Sequence, residues 1–347
     1  MTDQNVGAAA MHEPPPEAQI MELAMGHFVA QAIYVGTKLG IADLVATGPK
    51  TVPDLAAETS TDERSLYRLL RSLSSVGVFT ETGEHTFGNT PMSETLRADS
   101  PTSLRAMALF MGDEAHGRVV ADMIYSVKTG KPAWDHVHGV PCFPYMFETN
   151  KPLGDIFNQA MTSFSHASIA AVLSTYDFTG VGTLADIAGG YGHLLGAVMQ
   201  KYPSMNGVLF DMGVVLAGAP AMLDSYGVTD RVKLVEGDFF SEIPVRADAY
   251  IMKHIIHDWY DDNCEKILGN IRRSMPDDGR VLIIDAVIPP GNDPHPSKIL
   301  DLEMLIAPGG VERTAAEFET LLQNSGFRLV RIIPTPSQVS IVEAVKA

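Results

Sequence analysis

The chain is short of cysteine, of basic charge and of long apolar runs. Only Cys142 and Cys264 occur, far apart and outside any CxxC spacing. That excludes a cysteine-rich structural zinc site and argues against a disulfide scaffold. Lys and Arg number 25 against 42 Asp and Glu, a formal charge of −17. So acidic a chain is not built to take DNA, RNA or an anionic membrane as its main partner. No stretch of about 18 apolar residues is present, so no membrane span is expected. The opening MTDQNVGAAAMHEPPPEAQ has neither a basic n-region nor an apolar h-region. No signal peptide is read there, and the expected compartment is the cytoplasm. What the chain does have is 347 residues, 46 % of them hydrophobic and 19 % charged, with mean hydropathy +0.07. That supports a large core, and the length suggests two domains.

Residues 1–18 read as a flexible arm with Pro14, Pro15 and Pro16 as spacers. From Ile20 to about Val45, Leu23, Phe28, Ala32, Val35, Leu39 and Leu44 recur at helical spacing, and Gly36 and Gly40 are expected to break or bend the stretch. Thr51 reads as the N-cap of a short helix with Pro53 in its first turn. Ser60-Thr-Asp-Glu63 has the form of a capping box ahead of a helix whose apolar face is Leu66, Leu69, Leu70 and Leu73. Val78-Phe79-Thr80 and His85-Thr86-Phe87 flank Gly83 as a hairpin. Residues 19–100 thus carry a winged-helix pattern, which serves either DNA binding or packing and dimerisation. Between 51 and 97 lie four Arg, no Lys and seven acids. A groove-reading helix needs cations for the phosphates, so packing or dimerisation is the reading adopted.

Residues 101–175 read as mostly helical, interrupted by a loop from Lys131 to Pro144. Over 176–347 short β-branched runs alternate with helical patterns: Leu184–Ile187, Val208–Phe210, Val232–Val235, Ala249–Met252 and Val281–Val287. This is the signature of a doubly wound parallel sheet. Arg328–Ile333 and Val339–Val345 are joined by a link too short for a helical crossover, so they pair antiparallel if they pair with each other.

The first of these strands ends in Asp186-Ile-Ala-Gly-Gly-Tyr-Gly192, where glycines let a ligand approach the backbone. The second ends in Asp211, placed to accept from ribose hydroxyls or simply to cap a helix. A glycine loop also fits a nicotinamide enzyme. Three features favour a sulfonium cofactor instead: the spacing is DxGxGxG-like with Ala188 at the first glycine, Glu236-Gly-Asp-Phe-Phe240 offers Asp238 and Phe239 to an adenine, and a hairpin closes the sheet. A parallel sheet so closed is the arrangement of S-adenosylmethionine-dependent methyltransferases. Plain core packing is the other reading of Phe239.

The fourth strand runs into Met252-Lys-His-Ile-Ile-His-Asp-Trp259. Methyl transfer to a hydroxyl requires that the hydroxyl lose its proton, a task suited to a neutral imidazole. His254 and His257 compete for it on sequence alone.

From about residue 20 onward the chain resembles the O-methyltransferases related to plant caffeic-acid methyltransferases, above all their bacterial natural-product relatives. The resemblance implies a winged-helix dimerisation domain, a Rossmann-like catalytic domain and a homodimer. It also implies that Asp211 binds the ribose, that Asp238 and Phe239 hold the adenine, and that Lys253 and the loop Ala188-Gly189-Gly190 contact the methionine half, with Met212 in the same set. The family motif H-D-W selects His257 as the base and leaves His254 as a packing residue. Two carboxylates assist that base in relatives; Asp285, where Glu is usual, and Glu312 of Gly309-Gly-Val-Glu312-Arg-Thr314 stand at those positions. Asp being one methylene shorter, the Asp285 contact is expected to be longer or water-mediated. A solvated acid is the other reading of Glu312. Phe157 and Met161 match acceptor-pocket positions, or are helix core at i and i+4.

The sequence departs from the family at Ala188, where glycine is usual, and at Asp211-Met-Gly, where Asp-Leu-Pro is usual. Both point to weaker cofactor binding rather than none. Trp134-Asp-His-Val-His138, aromatic and polar, is read as a segment that covers or selects the substrate. His136, His138 and Asp135 do not meet a zinc spacing, so no metal is expected. The overall reading is a homodimeric S-adenosylmethionine-dependent O-methyltransferase acting on a small aromatic hydroxyl. Its competitors are a repurposed relative that catalyses hydroxylation, decarboxylation or pericyclisation, and a winged-helix regulator.

Overall fold

The structure is a computed structural model describing residues 14–347, apart from the side chains of Phe164, His166 and Ala167. Most of the expected arm, residues 1–13, lies outside the described residues. The chain divides into two compact units, one ending at Asp113 and the other spanning Glu114–Ala347.

In the first unit a helix runs Pro16–Lys38. Pro16 is its first residue rather than a spacer, a position where a missing N–H is harmless. Gly36 does not break it. A Cβ there would lie 3.2 Å from Leu73 Cδ1, so this glycine permits close packing. Gly40, at φ 69°, does end the stretch. The helix Val52–Thr59 starts at the Thr51 cap as expected. Helix Glu63–Ser75 does not use the expected box. Ser60 is left-handed at the end of the preceding helix, and Asp62 caps by accepting from Ser65 N at 2.8 Å. The stronger, charged acceptor nearer the helix wins. Strands β1 (Lys50–Thr51), β2 (Phe79–Gly83) and β3 (Thr86–Asn89) form a small antiparallel sheet in the order β1-β3-β2. The reversal falls on His85 at φ 48°, while Gly83 stays in the ladder opposite Thr86. Leu66, Leu70 and Leu73 join Leu55, Phe79 and Phe87 in the core of this unit.

In the second unit strands β4 (Thr183–Ile187), β5 (Asn206–Asp211), β6 (Val232–Glu236), β7 (Ala249–Lys253), β8 (Arg280–Asp285), β9 (Val287–Ile288), β10 (Arg313–Thr314), β11 (Phe327–Pro334) and β12 (Ser340–Lys346) follow in chain order. Seven of them build one sheet in the order β11-β12-β8-β7-β4-β5-β6. Its β6-to-β8 part is parallel, and β12 pairs antiparallel with both β8 and β11. The doubly wound sheet and closing hairpin therefore stand as read. Both faces are covered, so successive residues of one strand enter different cores. Ala185 and Ile187 pack on one side with Phe210, Tyr250 and Ile283, while Leu184 packs on the other with Leu209, Ile251 and Leu282.

Two segments differ from expectation. The run Val281–Val287 is not one strand: β8 stops at Asp285, and β9 leaves to pair in parallel with β10, Val287 opposite Arg313. The segment from Lys131 to Pro144 contains helical turns at Ala133–His138 and Cys142–Pro144. Trp134 in it is fully buried and packs the interior. Among the described residues no helix is long and apolar enough to cross a membrane.

Candidate active site

The first strand to enter the sheet, β4, has the next strand on one side and β7 on the other. The direction in which strands are added to the sheet thus reverses at β4, which opens a crevice at its carboxyl end. The glycine loop fills one lip of it. Ala188 adopts φ 54° and donates its N–H to Phe210 O at 2.8 Å. Gly190 and Gly192 are also left-handed, and a Cβ on Gly189 would lie 2.5 Å from Asp186 Cγ. Asp211 folds over the loop, accepting from Gly190 N at 2.8 Å and from Met212 N at 2.7 Å. It is buried, and burial raises its pKa. Met212 itself is about half exposed. Asp238 accepts from Phe240 N and Ser241 Oγ, both at 2.9 Å. Phe239 packs edge-on against Phe240 and Trp259.

Beneath the loop lies a group that the sequence reading had used only as a landmark. Asp186 is buried, burial pushes its pKa up to about 7, and its Oδ2 accepts no hydrogen bond among the described residues. Lys253, at the tip of β7, is driven down to about 8 by burial, opposed by the charges of Asp186 and Asp285. Its Nζ donates to Ser165 Oγ at 2.8 Å. Ser165 went unnoticed in the sequence, although it continues the i, i+4 row begun by Phe157 and Met161. A left-handed loop, one buried carboxyl with an unused oxygen, a second at the next strand tip and a buried ammonium suit a nucleoside carrying an amino-acid tail. Gly189 to Gly192, Asp211, Lys253 and Asp186 are the residues that would hold it.

The second lip is the exit of β7. His254 takes φ 57° there, its N–H donating to Ile284 O at 3.1 Å, and a 3-10 turn Ile256–Asp258 follows. Several contacts fix that turn. Arg313, itself buried, donates to Ile256 O at 3.0 Å, to Trp259 O at 2.9 Å and to Asp261 at 2.7 Å. Val311 N donates to His257 O at 2.8 Å. Gly310 is obligatory, because a Cβ would overlap the His257 carbonyl oxygen. The Asp301 carboxylate accepts from Glu312 N at 2.8 Å. The outcome is a contact between buried His257 and buried Glu312, Nδ1 to Oε1, of 2.6 Å.

An ionised carboxylate only accepts, so the ring donates from Nδ1, and in its neutral form the lone pair lies on Nε2. Burial opposes charging this imidazole, but the carboxylates of Asp258, Asp285 and Glu312 outweigh it and raise the ring to about 10. The same crowding and burial lift Asp258 to about 6 and Asp285 to about 7. His257, Asp258 and Asp285 are coupled through their charges. Asp285 makes no hydrogen bond to His257 and acts on it through space. Its nearest ring nitrogen is His254 Nδ1, at 3.8 Å. The expected longer contact is thus directed to the neighbouring ring.

Phe157 meets Phe143 and Phe147 edge-on, and Phe143 stands 6.3 Å from Trp259. Sequence reasoning missed Phe143, which lies in the segment read as a loop, and did not single out Phe147 just beyond it; the aromatic pair at i, i+4 was the available signal. Met161 is half-buried on the same helix.

Two outcomes follow for this site. Ala188→Gly relieves roughly 1 kcal/mol or more of left-handed strain, which offsets the roughly 0.4–1 kcal/mol that glycine adds to unfolded-chain entropy. Thermal unfolding should show no loss of stability, and calorimetry should show equal or tighter cofactor binding. For Asp186 the folded value of about 7 exceeds the ordinary 3.8, so the folded state holds this proton more tightly. Its contribution to stability is full below about 4, falls as pH rises to 7 and then levels, a loss of up to roughly 4 kcal/mol. Asp186→Asn should flatten that decline, read as melting temperatures of the cofactor-free protein at pH 5 and pH 8.

The chain matches known families and proteins along most of its length. Residues 120–328 match the O-methyltransferase domain family, and residues 21–99 match the O-methyltransferase dimerisation domain. The chain is 42 % identical over 345 residues to a phenazine O-methyltransferase, PhzM, of Lysobacter antibioticus, with 99 % of each chain covered. It is 36 % identical over 318 residues to an 8-amino-8-demethylriboflavin N,N-dimethyltransferase of Streptomyces davaonensis, covering 91 % of each. Among solved structures, CalO1, a methyltransferase in calicheamicin biosynthesis in its S-adenosylhomocysteine-bound form, superposes with TM-score 0.85 at 37 % identity, over 97 % of this chain and all of that one. The chain therefore belongs to the S-adenosylmethionine-dependent O-methyltransferase family of natural-product biosynthesis, with a helical dimerisation domain ahead of a Rossmann-like catalytic domain.

Proposed function

We propose that this chain methylates a hydroxyl of a small aromatic natural product, with His257 as general base and Glu312 as its orienting partner. The observation that carries this reading is the buried 2.6 Å contact between His257 Nδ1 and Glu312. When bound, S-adenosylmethionine supplies an electrophilic methyl that its sulfur releases as a neutral thioether. Asp211 would take the ribose, Asp238 and Phe239 the adenine, Met212 the same end, and Ala188, Gly189, Gly190 and Lys253 the amino-acid tail.

The protein's own task is to place an oxygen in line with that methyl and to remove its proton. Phe157, Phe143 and Met161 offer an apolar wall to a flat ring, and orientation alone is worth up to roughly 7–11 kcal/mol. Nε2 of His257 then accepts the hydroxyl proton. A phenol loses its proton near pH 10, so a ring raised to about 10 makes the transfer nearly thermoneutral but leaves only a small competent fraction at neutral pH. Glu312 holds the resulting imidazolium, and Asp285 adds negative charge beside it. The neutral ring is the competent form and the minority one at neutral pH. An amine acceptor is the second reading, favoured by the N,N-dimethyltransferase relative. The paired base favours a hydroxyl, whose proton must leave before attack. The dimerisation domain and the exposed Ile20, Leu23 and Phe28 on the first helix support a homodimer.

The experiment uses hydroxylated phenazines and their amino counterparts as acceptors and reads one methyl gained by mass spectrometry. His257→Ala should lower turnover by about 10²–10⁴-fold and leave cofactor affinity, by calorimetry, nearly unchanged. Glu312→Gln should lower turnover less. Full activity in His257→Ala refutes the base, and methyl gained only by the amines refutes the hydroxyl.

A further inference from the structure

His254, His257 and Asp285 each present one donor atom within 4.8 Å of the others. They stand at the ends of β7 and β8. His254 sits in strained left-handed backbone that sets its ring 5.0 Å, centre to centre, from that of His257. Asp285 is fully buried, yet neither of its oxygens accepts a hydrogen bond among the described residues. A buried carboxylate in that condition is costly unless a cation or donor meets it. The surrounding charges do not balance it. Asp186 and Glu312 are further buried carboxylates and Asp258 is half-buried, against the two cations His257 and Lys253. Arg313 is occupied by Asp261 and by the Ile256 and Trp259 carbonyls.

Two imidazoles and one carboxylate are the donors of a borderline divalent ion such as zinc, whereas magnesium and calcium seek oxygen shells. A ligating histidine normally passes its other N–H to a carboxylate, and Glu312 already holds Nδ1 of His257 at 2.6 Å. Zinc at about 2.0–2.1 Å from each donor would set tetrahedral ligands roughly 3.3 Å apart. The side chains therefore need to close by about 1 Å or a little more, within reach of small χ rotations.

We propose that His254, His257 and Asp285 form a binding site for a divalent transition ion of the zinc class, and that the bound ion arrests methyl transfer by occupying the base nitrogen. The blocking role rests on His257 being the base; the binding site does not. An ion there competes with the acceptor hydroxyl, since both require Nε2.

The test is a calorimetric titration of the full chain, tag-free and stripped by a chelator, with zinc chloride. One ion per chain is expected, with two imidazole ligands in the zinc-edge absorption spectrum. Asp285→Asn and His254→Asn should each weaken binding by about ten-fold or more; asparagine tolerates the left-handed backbone at 254. In turnover assays zinc should inhibit competitively with the acceptor. His254→Asn should methylate normally in metal-free buffer and resist zinc. Absence of binding, or undiminished binding in both variants, overturns the site. Uninhibited turnover with zinc bound at these residues overturns the blocking role alone, and loss of the base assignment would show separately in His257→Ala.

Discussion

The catalytic unit is organised around one buried contact, the imidazole of His257 against the carboxylate of Glu312. Neither group is tolerable alone in the interior, because an unpaired buried charge or donor is expensive. The fold meets that requirement from both sides. On the histidine side Arg313 and the Val311 amide bind the carbonyls of the 3-10 turn, and Gly310 leaves the space that the His257 carbonyl fills. On the glutamate side the Asp301 carboxylate holds the Glu312 amide. The short pairing of β9 with β10 brings the two segments together, next to the end of β8 where Asp285 sits. Few of these supporting groups touch a reactant; they position the pair that does.

The same lip of the sheet carries a surplus of negative charge. Asp186, Asp285 and Glu312 are buried and Asp258 is half-buried within one region, and burial raises Asp186, Asp258 and Asp285. Such a surplus is unfavourable to the empty protein and favourable to any cation placed there, whether a sulfonium, an imidazolium or a metal ion. Affinity for positively charged ligands is thus acquired at the expense of stability, a trade common at functional sites. Backbone strain follows the same map. Ala188 and His254 are left-handed non-glycine residues, one at each lip of the crevice.

Much of this was legible in the chain itself. The short β-branched runs of β4 to β8, the helical spacing between them and the short link between β11 and β12 point to a parallel sheet closed by an antiparallel pair. Asp186, Asp211 and Lys253 fall at strand tips, which is where such a sheet puts its ligands. The choice of His257 over His254 came from likeness to a family, not from periodicity. Errors arose where local signals were nearly balanced. Ser60 and Asp62 were both fit to cap a helix, and the one with ionised oxygens prevailed. The segment around Trp134 carries prolines and glycines that look like a loop, yet burial of its aromatics winds it into helical turns.

The sequence by itself determined the class of fold, the succession of strands along the chain and the residue types delivered to the sheet's carboxyl edge, because side-chain periodicity and turn chemistry are local properties. Tertiary structure alone decided which groups meet. Glu312 lies 55 positions from His257 and Ser165 lies 88 from Lys253; no local pattern encodes such distances. It also decided that Asp285 faces His254, that Ala188 is left-handed and that Asp186 is buried with an oxygen unused. Those facts depend on packing between elements, and packing, not composition, sets the electrostatics that chemistry at this site requires.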